Sequence, residues 1–126
     1  MRERLVLLVD RDEDTRRILG AVFAHSGFRV LAASSGEEAL SLLEDHEPDV
    51  VVGDFPMEVP GRGRFTTLLR LDSRFRSTPV LSVTARAMAE ELAVTSEVAD
   101  AFLLKPVRPV AVVSAASRLL SVDPVY

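Results

Sequence analysis

Four short apolar runs of this sequence each end on residues that can do chemistry. These residues are Asp10 with Asp12, Asp54, Thr84 and Lys105. An ionised carboxylate can attack phosphorus, a lysine and a hydroxyl can bind phosphoryl oxygens, and neighbouring carboxylates can hold Mg²⁺. The set therefore suits the transfer of a phosphoryl group onto a carboxylate.

Each of these residues also has an ordinary structural explanation. The acids of residues 10–14 favour the N-terminus of a following helix, Thr84 suits the end of a strand, and Lys105 suits a solvated surface. Asp54 is harder to explain, because an unpaired carboxylate directly after a buried apolar run is costly unless another group compensates it. A common site at one edge of a sheet explains all of them together.

The elements that would position these residues are predicted from an alternation of apolar runs and amphipathic segments. Five apolar runs are expected to be strands: Leu5–Val9, 30–32, 50–52, 80–83 and 102–104. Their almost continuous apolar character is typical of parallel strands that are buried on both faces. Parallel α/β sheets bind ligands beyond the carboxyl ends of their strands, which is where the polar residues fall.

Five helical patterns alternate with the strands. The first ends at Gly27, the second opens with a capping box at residues 35–38, the third contains Phe65 and Leu69, and a weaker fourth covers residues 88–95. The fifth begins at Pro109, a residue that favours the first turn of a helix. The sequence therefore predicts one α/β domain over residues 1–126, a (βα)₅ doubly wound sheet with right-handed crossovers.

The fifth helical pattern has two apolar faces. Val110, Val113, Ser117 and Leu120 form the stripe that is expected to face the core. Val112, Ala116 and Leu119 extend the apolar surface, either as a wider sheet-facing side or as an exposed patch with Arg108 and Arg118 at its rim.

Composition excludes several classes of protein. The chain has 126 residues, 48% of them hydrophobic and 27% charged, which indicates a globular domain. A net charge of −4 argues against direct binding of nucleic acid, and the lack of cysteine excludes disulfides and thiolate metal sites. No run reaches the about 18 apolar residues of a membrane span. We expect a cytoplasmic protein.

Several stretches of the chain, taken together, resemble the receiver domain of bacterial response regulators in two-component signalling. They are LVLLVDRDEDTRRIL, SGFRVLAASSGEEAL, PDVVVGD, TPVLSVTARA and ADAFLLKPV. The resemblance implies a flavodoxin-like sheet with strand order 2-1-3-4-5 and assigns a role to four residues. Asp54 matches the phosphoryl-accepting aspartate, Thr84 the switch hydroxyl, Lys105 the phosphate-binding lysine and Phe102 the aromatic switch.

The resemblance also implies a mechanism. A histidine kinase or phosphotransfer protein presents a phosphohistidine, and Asp54 accepts the phosphoryl group while Mg²⁺ shields the charge. Asp10, Asp54 and the backbone carbonyl of Pro56 match the metal ligands, and the Lys105–Pro106 peptide is expected to be cis. The surface of the fourth helix, fifth strand and fifth helix then changes for a homodimer or an effector. Such a domain is a phosphorelay component and not a free-standing enzyme.

Arg11 departs from the family pattern, because it occupies the position of the second of two adjacent acids that bind the metal. A guanidinium has no lone pair for Mg²⁺, so the metal site is expected to be weakened or absent. Arg11 either pairs with Asp54 or Asp10 as a built-in cation, or it points to solvent or pairs with Asp14. A third possibility is that Asp12 or Glu58 supplies the missing carboxylate.

Two other functions fit part of the pattern. A phosphorylation-independent docking module would keep the fold of a receiver domain without turnover at Asp54. A phosphatase of the haloacid-dehalogenase type would use Asp10 as the nucleophile and Asp12 as acid and base, because that family also has an Asp-x-Asp motif after its first strand. The phosphatase family requires further acids after the lysine, and none lies near Lys105.

Overall fold

The computed structural model describes residues 3–85 and 99–121. The strands are β1 (Leu5–Val9), β2 (Arg29–Ala33), β3 (Val50–Gly53), β4 (Glu58–Val59), β5 (Gly63–Arg64), β6 (Val80–Thr84) and β7 (Ala101–Leu104). The helices are α1 (Glu13–His25), α2 (Gly36–Leu43), α3 (Phe65–Leu71), a 3₁₀ turn (Ser73–Phe75) and the C-terminal helix α4 (Pro109–Leu120). The predicted fourth helical pattern, residues 88–95, lies outside the described residues.

Five parallel strands form the main sheet in the order β2-β1-β3-β6-β7. This order is the predicted 2-1-3-4-5 once the two short strands β4 and β5 are set aside, so the predicted fold is confirmed. The central strands β1 and β3 are buried along their whole length, which explains their uninterrupted apolar sequence.

Two hydrophobic cores cover the two faces of the sheet. On one face, α2 and α3 contribute Ala39, Leu43, Phe65 and Leu69. On the other face, α1 and α4 contribute Leu19, Phe23, Val112 and Ala116. Helices therefore lie on both faces, as predicted, and the strand ends remain open at the edge where the polar residues lie.

The helix ends follow the predicted signals with one change. Gly27 has a φ of 96° after the end of α1, a conformation that glycine adopts without strain. The Ser35 hydroxyl accepts a hydrogen bond from the Glu38 backbone N–H at 3.1 Å, as in a capping box. The carboxylate of Glu38, however, accepts from the backbone N–H of Ser34 and not from that of Ser35.

The C-terminal helix faces the core with a different side from the predicted one. Val110 is 61% exposed and Ser117 is also exposed, so this part of the predicted stripe was wrong. Val112 and Ala116 are fully buried, and Val113 is the buried member of the predicted stripe. The second apolar set is therefore the sheet-facing side of the helix.

The segment after Asp54 forms a short antiparallel hairpin that the sequence did not predict. β4 pairs with β5, with Glu58 opposite Arg64 and Val59 opposite Gly63. Gly61 and Gly63 have φ values of 75° and 96°, so both use the backbone freedom of glycine at the turn. Glu58 therefore lies on a paired strand.

Across residues 3–85 and 99–121, the helices are all too short or too polar to span a bilayer.

Candidate functional site

Asp54 follows β3 directly and is fixed by the backbone of β1. Its N–H donates to the carbonyl of Val9 at 3.2 Å. A Cβ atom on the preceding Gly53 would lie 2.4 Å from the same carbonyl oxygen and 2.7 Å from the ring of Phe55. Only glycine allows this close approach of β3 to β1, so Gly53 helps to define the position of Asp54.

Ser82 holds the backbone on the other side of Asp54. This residue is fully buried in the middle of β6, and its hydroxyl donates to the Phe55 carbonyl at 2.9 Å and accepts from the Phe55 N–H at 3.3 Å. The sequence analysis did not identify Ser82. The available signal was a single hydroxyl within the otherwise apolar run of residues 80–83.

Asp10 is the buried acid of the site, with 5% of its surface exposed. Its backbone N–H donates to the Ala33 carbonyl at 3.1 Å, and its Oδ1 accepts from the Asp12 N–H at 2.9 Å. Arg16 donates from Nη1 to the Asp10 carbonyl at 2.7 Å, a contact that the sequence analysis also missed. The buried carboxylate is thus held in one orientation by α1 and β2.

Lys105 brings the two predicted acids together. Its Nζ lies 3.2 Å from Oδ2 of Asp10 and 3.6 Å from Oδ2 of Asp54. Its backbone N–H donates to the Thr84 carbonyl at 2.8 Å, and the Lys105–Pro106 peptide is cis, as predicted. The structure also has a cis peptide between Phe55 and Pro56. One lysine therefore compensates two carboxylates across three strands.

The other oxygen of Asp54 has no such compensation. Oδ1 is buried and has no hydrogen-bond partner among the described residues. A buried carboxylate oxygen without a donor or a cation raises the free energy of the folded state. Asp54 is thus set up to bind a group that the described residues do not supply.

Arg11 is exposed and forms no ion pair with any residue in the described ranges. The predicted pairing with Asp10 or Asp54 was therefore wrong, because Lys105 occupies that position. Asp14 pairs instead with Arg17, at 3.1 Å. The observed arrangement is the solvent-facing one.

A cavity of about 170 Å³ adjoins Asp54, and Lys105 is not among the described residues that line it. Its lining consists of Arg11, Asp54, Pro56, Met57 and Glu58. The cavity therefore places the exposed guanidinium beside the candidate phosphoacceptor.

The two candidate replacement acids have different environments. The carboxylate of Asp12 caps α1 and accepts hydrogen bonds from the hydroxyl and N–H of Thr15, and these bonds lower the pKa of Asp12. Glu58 is exposed and lines the cavity beside Asp54. Within residues 3–85 and 99–121, no cluster of three or more acids or histidines has the geometry of a metal site.

Thr84 and Phe102 lie on the same face of the sheet. Thr84 is fully buried at the end of β6, opposite Leu104 of β7, while Phe102 stands opposite Ser82. Phe102 is 39% exposed, so its ring is not enclosed by the core. The predicted switching roles of Thr84 and Phe102 stay predictions.

Comparisons with known proteins identify the family. Residues 6–117 match the family model described as the response regulator receiver domain. The response regulator Rre1 of Synechocystis sp. is 37% identical over 106 residues, which are 82% of this chain and 46% of Rre1. The polar-differentiation response regulator DivK of Brucella ovis is 29% identical over 81% of this chain and 84% of DivK. The chain thus spans less than half the length of Rre1.

Solved structures agree with the sequence match. The chemotaxis response regulator CheY4 of Vibrio cholerae has a TM-score of 0.83 and 27% identity, covering 94% of this chain and all of CheY4. The receiver domain of a sensor histidine kinase from Pseudomonas aeruginosa, which has magnesium in its active-site cleft, has a TM-score of 0.82 and 20% identity, covering 94% and 98% of the two chains. The chain belongs to the response regulator receiver domain family.

Proposed function

We propose that this receiver domain accepts a phosphoryl group on Asp54 from a histidine kinase or a phosphotransfer protein in a phosphorelay. The observation that carries the proposal is the environment of the Asp54 carboxylate. One oxygen lies 3.6 Å from the Lys105 ammonium and the other is buried without a partner in the described part of the chain. Such a carboxylate is oriented and incompletely compensated, which suits a nucleophile toward phosphorus.

The surroundings of Asp10 favour Asp54 as the acceptor. Asp10 is almost fully buried, and both of its carboxylate oxygens are engaged, Oδ1 by the Asp12 N–H and Oδ2 by Lys105. The Asp12 carboxylate caps α1 and is not directed to acid and base chemistry. These contacts weigh against the haloacid-dehalogenase alternative.

The proposed transfer needs no oxidant and no further reactant. An oxygen of Asp54 attacks the phosphorus of a phosphohistidine, and the new O–P bond forms as the P–N bond breaks. The electron pair of the broken bond stays on the imidazole nitrogen of the partner. Lys105 stabilises the negative charge on the phosphoryl oxygens, because its ammonium already lies beside Asp54.

We infer that the site binds Mg²⁺ weakly. Asp10, Asp54 and the Pro56 carbonyl would hold the ion, which when bound supplies positive charge to the phosphoryl oxygens, and the unpartnered Asp54 oxygen fits such a ligand. The Lys105 ammonium and the Arg11 guanidinium oppose it, because both bring positive charge to the same site. Glu58 is the better placed replacement acid, since the Asp12 carboxylate is engaged in capping.

A groove beside Lys105 supports the proposed partner. This cavity of about 550 Å³ lies between α1 and α4, and its lining includes Ile18, Lys105 and Pro106. Ile18 is exposed there, so the groove presents an apolar surface next to Lys105. A helical partner that carries a phosphohistidine could dock against this groove.

The proposed output depends on Thr84 and Phe102, which lie on the same face of the sheet. Thr84 moves toward the phosphoryl group and the half-exposed Phe102 turns inward, which changes the surface formed by β7 and α4. That surface would bind a second copy of the chain or an effector.

The test is the intact mass of the protein after incubation with acetyl phosphate and Mg²⁺. We expect one added phosphoryl group on the wild type and none on Asp54→Asn. Asp49→Asn is the matched control, because it makes the same change at the opposite end of the sheet, and it should gain the phosphoryl group normally. Addition to Asp54→Asn would show a different acceptor, and no addition to the wild type would favour the docking module.

A further inference from the structure

Arg11 differs from the other arginines of its neighbourhood. Arg16 donates to the Asp10 carbonyl, and Arg17 pairs with Asp14. Arg11 is exposed, has no ion pair within the described residues and lines the cavity that adjoins Asp54. Its guanidinium is therefore available to a ligand in that cavity.

The positive charge of Lys105 is already shared between two carboxylates, at 3.2 Å and 3.6 Å. Phosphorylation of Asp54 would replace its single negative charge with a group that carries up to two. A second cation beside Asp54 would stabilise this additional charge. In the described structure Arg11 is the cationic residue that lines the cavity there.

The cavity has a suitable size for this purpose. Its volume of about 170 Å³ is several times the about 30 Å³ that one water molecule occupies in the liquid, which leaves room for a group of a few heavy atoms such as a phosphoryl group. A guanidinium presents several N–H donors in a planar fork, which matches two phosphoryl oxygens at once. Arg11 is thus better suited to bind a phosphoryl group than to bind the metal ion, whose acidic ligand occupies this position in the family.

We propose that Arg11 binds the phosphoryl group on Asp54 and supplies the positive charge that a divalent metal would otherwise bring, so that phosphorylation proceeds without metal. This inference rests on the proposed function of Asp54. With acetyl phosphate as donor, the O–P bond to Asp54 forms, the bond from phosphorus to the acetate oxygen breaks, and acetate leaves with the electron pair. No net proton transfer is needed.

The test compares the rate of phosphorylation by acetyl phosphate in excess chelator and in Mg²⁺, followed by intact mass. For the wild type we expect similar rates in both conditions. Arg11→Met should lose about ten-fold or more of the rate in chelator, the size expected for loss of a charge-assisted hydrogen bond. Arg11→Asp should be inactive in chelator and recover in Mg²⁺. Arg17→Met, which removes the same charge from the exposed face of α1, should behave as the wild type.

Magnesium binding gives a second readout that needs no phosphoryl donor. In isothermal titration calorimetry, Arg11→Asp should bind Mg²⁺ about ten-fold or more tightly than the wild type, because an acid replaces a repelling cation. Equal affinities would overturn the inference, as would Arg11→Met with an unchanged rate in chelator.

The outcomes separate the two proposals. A wild type that is phosphorylated only in Mg²⁺ overturns the inference about Arg11 and leaves Asp54 as the acceptor. A wild type that is not phosphorylated in either condition overturns the proposed function itself.

Discussion

The two ends of the parallel sheet use the same types of charged residue in opposite ways. At the amino ends, Oδ2 of Asp49 accepts from the N–H of Leu5 at 2.7 Å. Oδ2 of Asp100 accepts from the N–H of Val80, also at 2.7 Å. Each carboxylate therefore binds a backbone donor at the start of a strand that belongs to the sheet.

An arginine completes the network at the amino ends. Arg70 donates to the carbonyls of Phe75, Arg76 and Thr78 at 2.6–3.3 Å, and its Nη2 lies 3.0 Å from Asp100. This one side chain links α3, the 3₁₀ turn and the segment that enters β7. Its donors are matched by acceptors, so its contribution is to stability.

At the carboxyl ends the matching is incomplete. Asp54 has a buried oxygen without a partner in the described part of the chain, and Arg11 has no ion pair there. Polar groups that are satisfied within the fold lower its free energy, while unsatisfied groups raise it and can be satisfied by a ligand. The difference indicates that one end of the sheet stabilises the domain and the other is reserved for binding.

The largest effect on stability is expected for Arg70→Met. Loss of the guanidinium removes the hydrogen bonds to three carbonyls and the ion pair with Asp100, and we expect the free energy of unfolding to fall by about 2–3 kcal/mol. The rate of phosphorylation of the folded protein should not change. Urea unfolding measures the first quantity and intact mass the second. A loss of less than about 0.5 kcal/mol would remove Arg70 from the stabilising network.

A smaller effect on stability, combined with an effect on function, is expected for Lys105→Met. Asp10 and Asp54 would then be left close together without their shared cation, at a cost of about 1–2 kcal/mol after allowance for partial solvent exposure. Phosphorylation by acetyl phosphate should also slow. The double variant with Asp54→Asn should recover much of the lost stability, because a single carboxylate then remains. If the effects of the two substitutions on the free energy of unfolding are additive, the charges of Lys105 and Asp54 do not interact.

The smallest effect is expected for Asp72→Asn, at the amino ends of the sheet. Hydrogen bonds from Arg74 hold the pKa of Asp72 below its ordinary value of 3.8. A carboxyl whose pKa is lower in the folded state stabilises the fold above its ordinary pKa, and this contribution is lost as the pH falls through the lower folded value. The variant should therefore melt slightly below the wild type at neutral pH, and this difference should shrink as the pH falls through the lowered folded pKa of Asp72. A difference in melting temperature that persists in acid would show that the effect comes from packing and not from the charge of Asp72.

The sequence predicted the sheet and three of the groups that meet at its edge. Buried apolar runs specify parallel strands, and parallel strands bring their carboxyl ends together, so the proximity of Asp10, Asp54 and Lys105 follows from topology. The orientation of Arg11 could not be predicted in this way. It depends on whether Lys105 reaches both carboxylates, a matter of side-chain geometry between residues far apart in the chain.

Other features depend on packing that a sequence pattern does not encode. In the sequence, Ser82 only interrupts an apolar strand. Its role follows from its hydrogen bonds to the backbone of Phe55, a residue of another segment. The buried side of α4 includes small residues such as Ala115 and Ala116, which a count of large apolar residues underweights. The sequence contained no signal for the polar network at the amino ends of the strands, because ligands of parallel sheets bind at the opposite ends.

The most direct test of the division between the two ends is the free energy of unfolding of Asp54→Asn, measured in urea beside Arg70→Met. Replacing the carboxylate with a neutral amide removes an incompletely compensated charge, one oxygen of which is buried, and its repulsion by Asp10. The variant should therefore be as stable as the wild type or more stable by up to about 1 kcal/mol. A loss of stability comparable to that of Arg70→Met would contradict the account, because Asp54 would then belong to the network that holds the fold together.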